Sequence, residues 1–393
     1  MNFIIIAMTA QGEGISGCDR ISVELSKRWS KQYPLTVYLW EEGYKMYKRQ
    51  HLSDKEVEFK IIDMNPWKKM GFFINYIAVI LSSIVFALNL KLKDAKETIV
   101  YSASEFWMDS LPGLILKIRF PRITWVATWF QTAPDPLTGF KEGDRALSYR
   151  LHALPYWFVQ LPIKPLIKKF ASLVLVNNEF EKKEFPQMDK EQKVKVVLGA
   201  VDLTLISKFA RRFKNEKKIF DGVFQGRFHP QKGVVELIDI WKLVVSKKPD
   251  AKLALIGDGP LMADVKEKII NLNLQKNIEL FGYVFDGFKK YKIFSQSKIV
   301  LHPAFYDSGG MAAAEAMALG LPAIGFDLTS YRSYYPKGMV KVPVNDLLNF
   351  AQTVLDLLKD KKLYSKIAKE SREMIFKNWS WDKRAKEILE YIK

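Results

Sequence analysis

Two carboxylates and two cations stand where chemistry could be done. Asp307 and Glu315 bracket a glycine pair in LHPAFYDSGGMAAAEAMALGLPAIGFD, residues 301–327, and Arg227 and Lys232 lie in GRFHPQKG, residues 226–233. The apolar run SKIVLHP, stopped by Pro303, reads as a buried strand. Ser308, Gly309 and Gly310 then form a loop that opens a helix from Met311 to Leu319, ended by Gly320, Leu321 and Pro322. A glycine loop feeding a helix N-terminus presents unpaired backbone N–H groups and the positive end of the helix dipole, which suits a phosphate. Glu315, just over a turn into that helix, could hydrogen-bond a hydroxylated group beside it. On spacing alone a plainer reading stands beside this one: the glycines turn the chain, Asp307 caps the helix, and Arg227 and Lys232 are solvated charges.

Asp307 and Glu315 are separated by seven residues, with GGM inside the interval and EAMALGLPAI after it. This pattern resembles the E-x7-E motif of the retaining GT-B glycosyltransferases of family 4 (glycosyl transferases group 1). The resemblance covers nearly the whole chain. It implies an α/β protein of two Rossmann-like, doubly wound parallel-sheet domains facing a cleft. It further implies that Glu315 holds the ribose hydroxyls of a nucleotide-sugar donor, UDP- or GDP-linked, and that Asp307 contacts the transferred sugar. Asp in place of Glu keeps the charge but withdraws the carboxylate by one methylene. Backbone at Gly309, Gly310 and Met311 would face the diphosphate and the sugar. GRFHPQKG resembles the family's G-R-x-x-x-x-K-G run, which assigns Arg227 and Lys232 to the diphosphate, with Gly226 beside it. Fixed cations there would stabilise a departing nucleoside diphosphate more in the transition state than before it. The loop GEGISG at 12–17 is similar to the family's glycine-rich first loop, so Gly12 and Gly14 would approach phosphate or acceptor. IGDGP at 256–260 resembles the family's G-x-G-P turn, in which Gly257 and Gly259 are structural. Many family members carry a histidine after the strand read here as ITWVAT, whereas this chain continues Trp129, Phe130, Gln131, Thr132.

The elements that must position these residues alternate throughout. Apolar runs FIIIAM (3–8), LTVYLW (35–40), EFKIID (58–63), TIVYSA (98–103), ITWVAT (123–128) and SLVLVN (172–177) read as strands, with a helix around 21–31. The second half repeats the style with FDGVFQG, AKLALIG, IELFG, KIVLHP and LPAIGF. Two parallel-sheet domains follow. The change-over is expected near VKVVLGAVDL at 194–203, giving domains over 1–198 and 199–377. NWSWDKRAKEILEYIK resembles the family's terminal helix, so 378–393 is expected to return to the N-terminal domain.

The 393 residues, 48% hydrophobic, suffice for two cores. Cys18 is the one cysteine, which excludes an internal disulfide framework and fits a reducing cytoplasm. The apolar start lacks a basic n-region and reads as a first strand. His51, His152, His229 and His302 are scattered, with no H-E-x-x-H or D-x-D pattern, so no metal and no cofactor beyond the donor is expected. The net charge of +18 favours polyanions. No zinc spacing or RNP-like strand is present, so specific nucleic-acid binding is not expected. Residues 70–90 carry no charge between Lys68–Lys69 and Lys91, long enough for a bilayer span. Their place between two strands favours a crossover helix that packs on the sheet and dips into membrane. LPYWFVQLPIKPLIKKFA at 154–171 mixes aromatics and lysines as a surface for anionic lipid would.

The function expected is metal-independent, retaining sugar transfer to a glycan, polysaccharide or lipid-linked acceptor, in the cytoplasm or on the membrane's cytoplasmic face. Alternatives are a GT-B phosphorylase, a nucleotide-sugar epimerase, and a catalytically weak membrane-associated scaffold.

Overall fold

The computed structural model describes residues 1–10, 14–63, 70–137, 139 and 153–393. Gly12 lies outside them. The chain divides into two compact units, one of Met1–Ala133, Leu154–Gly199 and Trp381–Lys393, the other built on Ala200–Ser380.

The first unit holds a parallel sheet of β1 (Asn2–Ile6), β2 (Leu35–Trp40), β3 (Glu58–Ile62), β4 (Thr98–Ser102), β5 (Thr124–Trp129), β6 (Leu173–Val176) and β7 (Val194–Val196). Their order is β3-β2-β1-β4-β5-β6-β7. The central strands are apolar on both faces because helices cover both sides, while edge strand β3 exposes Glu58 and Lys60. On one face, helices Phe72–Asn89, Trp107–Arg119 and Leu154–Phe170 pack over Ile4, Ile6, Val100, Trp125, Ala127 and Val174. The opposite residues of the same strands, Phe3 and Tyr101, meet Trp29 of the Gly17–Trp29 helix. Trp381–Ile392 packs on that helix, with Trp29 Nε1 donating to the Ala385 carbonyl at 3.2 Å.

Several boundaries move from those read in the sequence. The first helix starts at Gly17 because Ser16 and Asp19 close a capping box around its N-terminus. β5 runs one residue later than 123–128, carrying Trp129 into the core. The uncharged stretch at 70–90 is the crossover helix Phe72–Asn89 between β3 and β4. Among the described residues no helix is long and apolar enough to cross a membrane, which corrects the spanning possibility.

The second unit holds β8 (Phe220–Gln225), β9 (Leu253–Ile256), β10 (Ile278–Gly282), β11 (Ser297–His302), β12 (Ala323–Phe326) and β13 (Met339–Val342), all parallel. Their order is β10-β9-β8-β11-β12-β13. β13 has four residues and no strong apolar run, so pattern reading passes over it. From β8 the chain builds outward through β9 and β10, then returns to place β11 on the other side of β8. The carboxyl ends of β8 and β11 are therefore the point where the sheet's direction of winding reverses, the place where such sheets leave a crevice for ligands.

Candidate functional site

The loops that leave β8 and β11 carry the predicted residues. After β8 the chain runs Gly226, Arg227, Phe228, His229, a short 3-10 turn Pro230–Lys232, and Gly233, which opens helix Val234–Lys247. Gly233 has φ 63°, and a Cβ there would lie 2.0 Å from the Pro303 carbonyl oxygen. Only glycine lets the two loops touch, and this contact fixes Lys232 over the end of β11.

Lys232 Nζ lies 2.6 Å from Asp307 Oδ2. The same oxygen accepts from Tyr331 OH at 2.9 Å and lies 3.0 Å from His302 Nε2. Oδ1 accepts from the backbone N–H groups of Gly309 and Gly310, each at 3.2 Å. The Asp307 side chain is 7% exposed. Burial pushes its carboxyl upward, but the Lys232 charge and the His302 contact outweigh that and hold it well below the usual carboxylate range. In this arrangement the shortened acid is turned into its own loop, with five partners around two oxygens. It orders the glycine pair and pins Lys232. The Gly309–Gly310 backbone is further fixed by Tyr334, whose ring leaves no room for a Cβ at Gly309, and by Tyr335 OH, which donates to the Gly310 carbonyl at 2.6 Å.

Gly310, at φ 59°, caps helix Met311–Ala318 without a side chain, so the first-turn N–H groups carry no side-chain cap. Glu315 sits one turn in, and its Oε2 is 2.6 Å from Lys290 Nζ. Lys290 also pairs with Asp286 and is 1% exposed. Glu315 is thus held by Lys290, separately from the Lys232–Asp307 pair. The Arg227 guanidinium is exposed and has no ion-pair partner among the described residues. Gly226 packs under the next loop: its N–H donates to the Ile256 carbonyl at 3.0 Å, and a Cβ at Gly257 would lie 1.9 Å from the Gly226 oxygen. Gly257 and Gly259 are tight-packing residues, as expected from the sequence.

In the first unit Gly14 is half-buried, ahead of the Ser16–Asp19 capping box. That box satisfies helix N–H groups with the protein's own Ser and Asp. The sequence reading overlooked the buried acids at the carboxyl ends of this sheet. Asp109 accepts from the N–H groups of Met8 at 2.6 Å and Thr9 at 3.2 Å, and from Ser104 Oγ at 2.5 Å. Burial, set against those hydrogen bonds, raises its carboxyl to about 7. After β5, Gln131 and Thr132 join a polar network. Gln160 Nε2 donates to the Gln131 carbonyl at 2.7 Å, Tyr156 OH donates to Glu105 Oε1 at 2.5 Å, and the Thr132 N–H donates to Glu181 at 3.1 Å. Burial raises the carboxyls of both Glu105 and Glu181. Glu105 and Asp109 follow β4 and Glu181 follows β6, so the sheet and not one spacing in the sequence brings them together. His302 and Tyr331, which complete the Asp307 site, were equally hidden. Among the described residues no group of three or more His, Cys, Asp or Glu side chains could hold a metal ion.

Two units, each built on a parallel sheet, have the GT-B fold. The Anabaena HepE protein, solved in complex with UDP and glucose, is similar at a TM-score of 0.69 and 16% identity, over 99% of this chain and 98% of that one. A TarM mutant of S. aureus, solved with Fondaparinux, alpha-GlcNAc-glycerol and UDP, matches at a TM-score of 0.73 and 13% identity over 100% of both chains. In sequence, an uncharacterized glycosyltransferase of Methanocaldococcus jannaschii is 29% identical over 201 residues, 49% of this chain and 46% of the relative. The chain spans about half the length of the curated relatives it matches. Residues 206–374 match the family model for glycosyl transferases group 1.

Proposed function

We propose that this protein is a retaining glycosyltransferase. It moves a sugar from a UDP- or GDP-linked donor to a glycan, polysaccharide or lipid-linked acceptor, without a metal, on the cytoplasmic face of an anionic membrane. One observation carries the reading: the loops after β8 and β11 meet at the reversal point of the group 1 domain, bringing Lys232 onto Asp307 beside the uncapped Met311–Ala318 helix. The complexes of HepE with UDP and glucose, and of TarM with UDP and a GlcNAc-bearing ligand, support a nucleotide donor and a glycan-type acceptor.

In this reading the diphosphate lies against the Gly309–Gly310 backbone and the helix N-terminus, where N–H groups and dipole meet negative charge. Arg227, exposed and without an ion-pair partner among the described residues, and Lys232 neutralise the charge that grows on the leaving diphosphate as the glycosidic bond breaks. Asp307 keeps Lys232 and the glycine loop in place. Its fully occupied carboxylate makes positioning its first role, with sugar contact requiring that one of its five partners give way. Glu315, braced by Lys290, accepts hydrogen bonds from the ribose hydroxyls. The acceptor oxygen attacks on the face that the diphosphate leaves, and the departing phosphate takes the acceptor proton.

A thermal-shift screen without metal against UDP, GDP, ADP and their sugars tests the donor site, because a ligand of the native state alone raises the melting temperature. One nucleotide should give a clear shift, and Arg227→Ala and Glu315→Ala should each abolish both the shift and transfer while leaving the apo protein folded. Full transfer in either variant would sink the donor-site assignment.

A further inference from the structure

The helix Phe72–Asn89 buries one side on the sheet and leaves the other uncovered. Phe73, Ile77, Leu81, Val85 and Leu88 are each more than half exposed, Phe73 reaching 80%. They recur at steps of four, four, four and three, so they form one stripe along the helix. From Phe73 to Leu88 the stripe runs roughly 22 Å at the α-helical rise. A soluble surface rarely leaves so continuous an apolar strip uncovered. Helix Leu154–Phe170, on the same face of the sheet, exposes Phe158 and Leu161 in addition.

Charge decides what fits. Neither of these two helices contains an acidic residue, and in Trp107–Arg119, which lies between them, the one acid is Asp109, fully buried. The cations Lys91, Lys93, Arg122, Lys168 and Lys169 are exposed at the ends of the same three helices or just beyond them. Of the acids nearest in the chain, Asp94 is exposed beside Lys93 and accepts from the Lys96 and Glu97 N–H groups at 3.1 and 3.3 Å, Glu97 pairs with the N-terminal amine at 3.0 Å, and Glu184 pairs with Lys164. The face is therefore apolar along its length and, with those five cations against Asp94, net positive at its rim. A second copy would bring its own cations against these. An acidic protein would meet the positive rim but offer nothing required for the apolar stripe. An anionic bilayer supplies both, acyl chains for the stripe and headgroups for the rim.

We propose that the Phe72–Asn89 face, flanked by Leu154–Phe170, lies in the plane of an anionic lipid surface with its stripe among the upper acyl chains. This deepens the membrane-side transferase reading and rests on it for one consequence, that the acceptor is lipid-linked. The helix lies on the bilayer, in keeping with the absence, among the described residues, of a helix able to cross one.

The test is flotation of the full chain with phosphatidylcholine vesicles that contain phosphatidylglycerol, and with phosphatidylcholine alone, across a salt series. The wild type should float with the anionic vesicles at low salt and release as salt rises. The triple variant Ile77→Glu/Leu81→Glu/Val85→Glu places charge at three exposed positions. It should keep its melting temperature and lose on the order of tenfold or more in vesicle partitioning. Lys91→Glu/Lys93→Glu should weaken binding and flatten its salt dependence. A wild type that ignores anionic vesicles overturns the docking and the membrane side of the proposed function together. A triple variant that still floats like the wild type overturns this face while leaving membrane binding intact. If the wild type sediments as a dimer that the triple variant dissociates, a second copy covers the stripe and the proposal fails. None of these results touches donor binding, which the nucleotide thermal shift reads independently.

Discussion

Replacing Asp307 by Asn isolates the feature that separates this site from one read off its motif. The amide oxygen can stay on the Gly309 and Gly310 N–H groups, now 3.2 Å from Oδ1. The amide nitrogen then faces Lys232 Nζ and Tyr331 OH, both donors, where Oδ2 accepted at 2.6 and 2.9 Å. Removing one partner of a buried pair costs about 3–5 kcal/mol. Lys232 is 17% exposed and keeps some water, so the low end applies, about 3 kcal/mol. For a unit of about 200 residues that is a fall in melting temperature of roughly 6–12 °C. The assay is denaturant unfolding of wild type, Asp307→Asn, Lys232→Met and the double variant. The cycle should return a coupling of about 2–3 kcal/mol, against 1 or less for an exposed pair. The sign with pH is fixed too. The Asp307 carboxyl is depressed in the folded state, so its contribution is fully present above the unfolded carboxylate range and is lost only as pH falls toward the folded value. The deficit of Asp307→Asn should therefore be flat from about pH 5 to pH 8 and shrink in strong acid. A coupling below about 0.5 kcal/mol would refute the argument that this carboxylate is committed to its loop.

Asp109 predicts the opposite pH trend. Its carboxyl stands at about 7 in the folded state, against 3.8 as the ordinary value, so its contribution is full at low pH and is lost as pH rises through about 7. Asp109→Asn mimics the protonated form. Between about pH 5 and pH 7 the wild type should lose roughly 1.4 kcal/mol per pH unit relative to the variant, and parallel stability curves would exclude the assignment. Gly233→Ala should displace Lys232 by forcing the backbone off the Pro303 carbonyl, abolishing the nucleotide-induced thermal shift. Gly320→Ala, at φ 85° with open space around its Cβ position, should cost about 1 kcal/mol and leave that shift intact.

How much of this was legible shows at particular residues. LTVYLW is β2 to the residue, because a six-residue run bounded by Pro34 and a charged pair has few alternatives. The glycines at 309, 310 and 233 were legible as special positions, since a missing side chain announces a close approach or a positive φ. The partners of the acids were not. Lys290 is read in FGYVFDGFKKY as one of two adjacent lysines, yet it is the buried one that holds Glu315. Tyr331 looks like any aromatic of a short helix. Contact with Asp307 across 24 residues depends on how the β12 end is laid beside β11.

The sequence by itself determined the alternation of short buried strands with helices, the two-sheet architecture, the group 1 resemblance and the carboxylate spacing of Asp307 and Glu315. These are local properties, set by apolar periodicity, by glycine and proline punctuation, and by distances along one loop and one helix. The tertiary structure alone decided that β8 and β11 adjoin, that the shortened acid spends its lone pairs on Lys232, His302, Tyr331 and its own glycine loop, and that the face of an uncharged helix stays uncovered. Each of these follows from which surfaces are buried together, and burial is a property of the assembled sheet rather than of any stretch of chain.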